Sequence, residues 1–320
     1  MQKRKMIIAR NIDPQLAEKV KELIPEWELI IGREQTTWEE HIQEAEIVAG
    51  WFSGMEKYFL ADDSKLRWFQ SWSAGVNNYP LDRFQARNVY LTSANGVHAY
   101  PISETIFALM LALTRKIHTF VQNQAAKKWD NAGLKLEIHE KTIGIIGVGA
   151  IGKETAKIAK AFGMTVLGVR RSGGTTDYVD EMYTIDDLQA ILPRCDYVVV
   201  TLPLTKETYH LFGKEQFKLM PPSSFFINIG RGEIVNEIEL IEALREEEIA
   251  GAGLDVFETE PLNTASPLWE MENVIVTPHH AGATENYTKR LIENILIPNL
   301  KSYLETETPN INLVNYQKGY

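Results

Sequence analysis

The stretch IIGVGAIGKETAKIAKAF, residues 145–162, runs from a short apolar segment through three glycines into a helical pattern. Gly147, Gly149 and Gly152 stand in the G-x-G-x-x-G spacing. They follow a strand and open a helix, the context in which that spacing cradles a dinucleotide. Each glycine has its own reason. Gly147 permits the tight turn, Gly149 lets a pyrophosphate approach the backbone, and Gly152 lets helix and strand pack closely. The helix N-terminus adds N–H donors and a favourable dipole. A tight strand-to-helix turn without a ligand is the plainer alternative.

The next strand outward, MTVLGV (164–169), ends on Arg170, Arg171 and Ser172, and the first acid beyond is Asp177. A site for NAD usually carries Asp or Glu there, about twenty residues past the glycines, to bind the ribose hydroxyl; an arginine instead accommodates a 2′-phosphate. Guanidinium groups grip phosphate through paired, charge-assisted hydrogen bonds. The sequence therefore points to NADP(H) as the preferred cofactor. NAD(H) remains possible if these are only solvated arginines beside the pocket.

Further strands, DYVVVT, SFFINI, GAGLDVF and NVIVTP, bring this region to six, with helices between most of them. Two consecutive βαβαβ halves are what a dinucleotide-binding domain contains. In the first hundred residues, KMIIA, WELII, EIVAG, LRWFQS and NVYLTS alternate with helical patterns, which predicts a second parallel sheet covered by helices. The fold class is α/β, with two doubly wound parallel-sheet domains. Residues 102–129 form a helical pattern that is apolar all round, as in a buried helix, here placed between the two domains. The helical tail, 284–308, is expected to cross back onto the N-terminal domain. The division is then 1–99 with 287–320 as a discontinuous substrate-binding domain, and 100–286 as the dinucleotide-binding domain.

Bulk properties narrow the function classes. A net charge of −10 over 320 residues argues against a general nucleic-acid surface. The greasiest run, IFALMLALT (106–114), is about half of what a membrane span needs. The single Cys195 cannot form an internal disulfide, and with no signal-peptide pattern at the start it suggests a reducing, cytoplasmic setting. Its place before an apolar run reads as a buried structural thiol. No Cys/His cluster has metal-ligand spacing, so no metal is implied.

Three stretches are hard to explain as scaffold. NIGRGEIVN (228–236) puts Arg231 just past a strand. GLDVFETEPL (253–262) puts Asp255 at the end of the next and Glu260 in the loop after it. VTPHHAG (276–282) puts His279 after the last. Ligands of open α/β sheets bind outside the carboxyl ends of the strands, so these groups converge at the cofactor. They suit hydride transfer to a 2-oxo acid. Arg231 holds the carboxylate and polarises the carbonyl, His279 as imidazolium protonates the carbonyl oxygen, and Glu260 orients His279 and favours its charged form. The neighbouring His280 competes for the acid's role.

GVGAIG, INIGRGEIVN, AGLDVFETEPL and VIVTPHHAG, in this order and spacing, resemble the D-isomer-specific 2-hydroxyacid dehydrogenase family. The resemblance favours His279 over His280. It also implies two Rossmann-like domains with the active site in the cleft between them, and a homodimer formed through the coenzyme domain. SAGVNNYP (73–80) resembles the family's substrate-carboxylate loop, so backbone amides of Ala74, Gly75 and Val76 would meet the carboxylate together with Arg231. On the same footing Thr105 touches the nicotinamide half, and Leu202 and Pro203 border the adenosine. Ile229 and Gly230 border the nicotinamide, Asp255 accepts from the carboxamide, and Ala150, Ile151 and Gly282 complete the cofactor contacts. Many members have an acid after the glycine of the carboxylate loop, where this chain has Asn77 and Asn78. The strand-end arginines resemble an NADPH-preferring glyoxylate/hydroxypyruvate reductase branch.

The resulting expectation is reduction of a small 2-oxo acid to the D-2-hydroxy acid, with no nucleic-acid or membrane partner. An NAD-dependent dehydrogenase of the same family is one alternative. A nucleotide-sensing, corepressor-like binder without turnover is another, and Arg231, Glu260 and His279 together speak against it. A formate-type member would replace the glutamate by glutamine, so Glu260 speaks against that also. Trp51, Phe52 and Trp72 either line the substrate pocket or are core aromatics.

Overall fold

The computed structural model describes residues 3–52, 54–76 and 78–317. Asn77, which departs from the family's usual acid, lies outside the described residues. The chain divides into two compact units, Met1–Val97 with Thr284–Tyr320, and His98–Ala283.

The first unit holds five parallel strands: β1 (Lys5–Ile8), β2 (Glu28–Ile31), β3 (Ile47–Ala49), β4 (Trp68–Gln70) and β5 (Tyr90–Thr92), in the order β2-β1-β3-β4-β5. Successive side chains of a strand point to opposite faces. Ile7 and Phe69 therefore enter one core cluster, with Val48, Phe59 and Phe84, while Met6, Ile8 and Trp68 enter the other. That second face is covered by Leu291, Ile292, Ile295, Leu296, Leu300 and Tyr303 of the C-terminal helix. This helix carries a π turn at Ile292–Leu296, which ends two residues before Pro298. Proline has no N–H for an i→i−4 bond, so the regular ladder is interrupted there.

The second unit has seven parallel strands, not six: β6 (Thr142–Ile146), β7 (Thr165–Val169), β8 (Glu181–Tyr183), β9 (Tyr197–Val200), β10 (Phe225–Asn228), β11 (Gly251–Leu254) and β12 (Val274–Val276). Their order is β12-β11-β10-β9-β6-β7-β8. The additional strand is β8. It has three residues, Glu-Met-Tyr, with an exposed glutamate at a sheet edge, so it lacks the apolar run that marks a buried parallel strand. With β8 in place, the first half of the sheet is β6–β7–β8, with the helix Ala150–Ala161 between the first two strands and a segment of turns, without a helix, between the last two. The direction of the sheet reverses between β6 and β9, and that reversal defines the crevice where such sheets bind ligands.

The helix Ala99–Thr114 owes its burial to the sheet of its own unit: Ile106, Phe107, Leu109, Met110 and Leu113 pack with Ile143, Ile145, Val199 and Ile227. Gly253 of β11 makes this possible, since a Cβ there would sit 3.0 Å from Leu109. The helical pattern read through 102–129 is divided. Lys116 adopts a left-handed conformation (φ 52°), and a second helix runs Ile117–Ala125. Thr114 marks the break, its hydroxyl donating to Met110 O at 2.7 Å and meeting the Tyr197 hydroxyl at 2.6 Å.

Candidate active site

The glycine loop follows β6 directly. Gly147 has φ +118°, and a Cβ there would lie 2.8 Å from Thr201 Oγ1 and 2.9 Å from Leu202 N, so no other residue fits. The Thr201 hydroxyl donates to Gly147 O at 2.6 Å, tying the loop to the end of β9. A Cβ on Gly152 would meet Gly147 O at 2.5 Å, which is the close helix–strand packing its position implies. At Gly149 a Cβ would meet nothing within 4 Å. The backbone there faces open space at the head of the helix Ala150–Ala161, whose first N–H groups have no intrahelical acceptors. This cradle fits a pyrophosphate, its glycines being required by contact on two sides and left open on the third.

At the end of β7, Arg170 N donates to Tyr183 O at 2.9 Å and Gly173 N returns to Arg170 O at 3.0 Å. That turn sets Arg171 and Ser172 on the surface, with Arg170 half-buried. Among the described residues Arg170 forms no ion pair. Arg171 faces the loop after β9. Glu207 of that loop is held below the usual carboxylate range first by the Thr205 hydroxyl, with Arg171 and Lys206 contributing. Leu202 and Pro203 begin the same loop. A Cβ on Gly230 would lie 2.8 Å from Leu202 O, so β9 and β10 end in contact.

Arg231, Glu260 and His279 follow β10, β11 and β12, three neighbouring strands of one sheet edge. His279 Nδ1 lies 2.7 Å from Glu260 Oε2, and Glu260 Oε1 accepts from Phe257 N at 3.1 Å. The carboxylate is thus aimed by backbone on one side and holds the imidazole on the other. His279 itself has φ +49°, an uncommon conformation for a residue with a Cβ, fixed by its N–H donating to Asp255 O at 2.8 Å. Among the described residues the His280 imidazole has no carboxylate partner, while its backbone N–H donates to Asp255 Oδ1 at 2.9 Å. Arg231 is exposed, and its Nη1 donates to Gly230 O at 2.7 Å.

Asp255 is buried and accepts three protein hydrogen bonds: Thr277 Oγ1 at 2.6 Å, His280 N at 2.9 Å and Ala281 N at 3.0 Å. A carboxylate has about four acceptor positions, so one stays open beyond this task of holding the His279 segment. Thr105 Oγ1 donates to Pro101 O at 3.0 Å and approaches Ala281 O at 3.4 Å. Gly282 lies against His98, whose Nδ1 is 2.9 Å from Gly282 O. Ile229 is buried.

Several positioning residues escape a reading of the sequence. Thr277 and His98 are two of them. Asn228 is a third: buried, it accepts from Gly230 N at 3.0 Å and donates to Arg231 O at 3.1 Å, closing the turn that presents the arginine. Gly232 is the fourth, since a Cβ there would fall 1.9 Å from Phe257 C. The Asn-x-Gly-Arg-Gly and Thr-Pro-His-His patterns are the signals in the sequence for Asn228, Gly232 and Thr277, and His98 has none.

In the first unit the loop after β4 is anchored by Ser71, which accepts from Ser73 N at 2.8 Å and meets the Tyr79 hydroxyl at 2.9 Å. Among the described residues, the backbone N–H groups of Ala74, Gly75 and Val76 donate to no protein acceptor. Backbone N–H groups without protein acceptors are available to an anionic ligand. Trp51 packs edge-on against Phe59 and Phe69 and tilted against Tyr79, within 4.9–5.7 Å, and so belongs to the core. Trp72 packs at the margin of the other core cluster, and its carbonyl accepts from the Tyr287 hydroxyl at 2.6 Å.

Residues 107–281 match the model of the D-isomer specific 2-hydroxyacid dehydrogenase NAD-binding domain. The chain belongs to that family and is an oxidoreductase that uses a nicotinamide cofactor. It is 33% identical over 321 residues to glyoxylate/hydroxypyruvate reductase B of Serratia proteamaculans, covering 98% of both chains. Among solved structures it is similar to a D-isomer specific 2-hydroxyacid dehydrogenase family protein of Aeromonas salmonicida, with a TM-score of 0.81 and 32% identity over 98% of this chain and 100% of that one. It is likewise similar to the NADPH-dependent glyoxylate/hydroxypyruvate reductase of Sinorhizobium meliloti, solved with NADP and sulfate, with a TM-score of 0.79 and 27% identity over 99% and 100%. No helix among the described residues is long and apolar enough to cross a membrane, and no group of three or more His, Cys, Asp or Glu among them is placed to hold a metal.

Proposed function

We propose that this protein is an NADPH-preferring reductase that converts small 2-oxo acids to D-2-hydroxy acids in the cytoplasm. The observation that carries the reading is the 2.7 Å His279–Glu260 pair, on the same sheet edge as Arg231. When bound, NADPH supplies the hydride to the carbonyl carbon. Gly147, Gly149, Ala150, Ile151 and Gly152 hold its pyrophosphate, and Arg170, Arg171 and Ser172 take the 2′-phosphate. Leu202 and Pro203 border its adenosine, and Thr105, Ile229, Gly230, Asp255 and Gly282 surround the nicotinamide half. Ala74, Gly75 and Val76 offer amides to the substrate carboxylate, and Arg231 binds that carboxylate and draws charge from the carbonyl. His279 delivers a proton to the carbonyl oxygen, and Glu260 orients the ring and balances its positive charge. In this reading residues 1–99 with 287–320 bind substrate, and 100–286 bind the dinucleotide.

The relatives' names support the substrate class, and the bound NADP of the Sinorhizobium protein supports the cofactor. A homodimer through the second unit accounts for an apolar surface near residues 117–136. There Trp129 is fully exposed, Val121 is 60% exposed and Ile117 49%. Glyoxylate, hydroxypyruvate and pyruvate assayed with NADPH and NADH in parallel test the whole. We expect NADPH consumption with at least one of them at a higher kcat/KM than NADH. Equal use of the two cofactors would refute the phosphate assignment, and no turnover with either would refute the reductase.

A further inference from the structure

Arg10 stands two residues past β1, beside the end of β3, where the order β2-β1-β3-β4-β5 reverses direction. That point of an open parallel sheet is where ligands bind. The side chain is half-buried. Its Nη2 makes a long contact, 3.4 Å, to Trp51 O, its guanidinium lies 4.6 Å over the Phe52 ring, and its Nε is buried without a hydrogen-bond partner among the described residues. Gly50, at φ +98°, admits the stem: a Cβ there would already touch Arg10 Cγ at 3.4 Å.

What distinguishes Arg10 is the company it keeps. Arg4 donates to Glu46 at 2.8 Å and Arg67 to Glu307 at 3.0 Å, while Arg87, whose Nε is likewise buried without a partner among the described residues, spends its Nη groups on the Ala61 and Ser64 carbonyls. Among the described residues Arg10 has no carboxylate partner. The groups facing it are a second cation, Arg33, and the phenols of Tyr79 and Tyr287. Burial first, and Arg33 second, hold its guanidinium below the ordinary arginine range. A partly desolvated cation without a counter-charge is unfavourable in the fold alone, and an anionic ligand removes that cost.

The same edge carries the free amides of Ala74, Gly75 and Val76 after β4, two strands from β1. Two strand spacings come to roughly 10 Å, part of which the Arg10 stem spans. We propose that Arg10 is a specificity-determining residue that binds a second acidic group, a carboxylate at the far end of a short 2-oxo dicarboxylic acid. This rests on the reductase reading above, with the 2-oxo end of the acid held by the loop amides.

The test compares oxaloacetate and 2-oxoglutarate with the chain-matched 2-oxobutyrate and 2-oxovalerate, using NADPH, in the wild type and in Arg10→Met and Arg10→Lys. A charge-assisted hydrogen bond is worth roughly ten- to a hundredfold in binding. We expect Arg10→Met to lower kcat/KM for the dicarboxylic acids by about that factor and for the monocarboxylic acids by less than about threefold, with Arg10→Lys restoring part of the loss. Equal losses in both sets, or none, overturn the proposal while glyoxylate turnover leaves the reductase reading standing. If the wild type reduces no 2-oxo acid, that reading has failed, and binding decides for Arg10. Malonate should then raise the melting temperature of the wild type and not of Arg10→Met, with acetate inert toward both; an equal malonate shift in the two overturns the anion site.

Discussion

At the scale of single residues, two adjacent imidazoles are separated by what the backbone does with each. His279 bends into a left-handed conformation that points its ring at Glu260, while His280 spends its N–H on Asp255. Replacing His279 with Asn should lower kcat by roughly 10²–10⁴, the usual share of a general acid, and His280→Asn should cost far less. Steady-state kinetics of the two variants check this, and a larger loss from His280→Asn would reverse the assignment. The strand-end arginines carry a second prediction. Arg170→Asp should raise KM for NADPH by at least tenfold and leave KM for NADH within a few-fold, because a carboxylate repels a phosphate and accepts from a ribose hydroxyl. Cys195 is buried, which pushes its thiol up to about 12. A thiol so placed stays protonated at neutral pH and takes no part in the chemistry.

Among the elements, the loop after β10 is held from three directions. Asn228 closes it from below, Gly230 seats against Leu202, and Gly232 lies flat on the Phe257–Glu258 peptide. That peptide begins the segment ending in Glu260, so Arg231, the proposed substrate-binding arginine, and the carboxylate behind the histidine share one seam. Gly232→Ala would force backbone apart at a 1.9 Å approach. The expected outcome is a fall in kcat/KM of tenfold or more together with a lower melting temperature, whereas Gly149→Ala, with open space around its Cβ position, should leave the melting temperature unchanged and weaken cofactor binding. Thermal denaturation and cofactor titration of both variants distinguish the two roles.

For the molecule as a whole, the exposed surface around the helix Ile117–Ala125 is the feature a lone chain explains least well. Trp129 is fully exposed and Val121 and Ile117 are half exposed or more, apolar side chains that the proposed homodimer would cover. Val121→Asp with Trp129→Ser should shift the molecular mass measured by light scattering from about that of two 36.4 kDa chains to that of one. A monomeric wild type would remove the assignment.

Much of this was legible in the chain itself. Glycines 147, 149 and 152 announced their turn because only a missing side chain satisfies the contacts there, and a missing side chain is visible in a sequence. Arginines 170 and 171 stood out because an acid is the usual residue at that strand end of an NAD site. The apolar runs of the other six strands of the second unit declared themselves because strands buried on both faces are apolar throughout. The edge strand β8, three residues long with one face in water, carries no such mark, and only its pairing with β7 makes it a strand. The same limit applies to Asn228, Thr277 and Arg10. Asn228 and Thr277 are marked only by the motifs that contain them and Arg10 by none, because the groups that give them a task arrive through hydrogen bonds and packing across strands. Composition and local pattern fixed which segments form the strands and the glycine turn; tertiary contact alone decided that His279 and not its neighbour meets Glu260, and that the half-buried Arg10 faces another cation and two phenols.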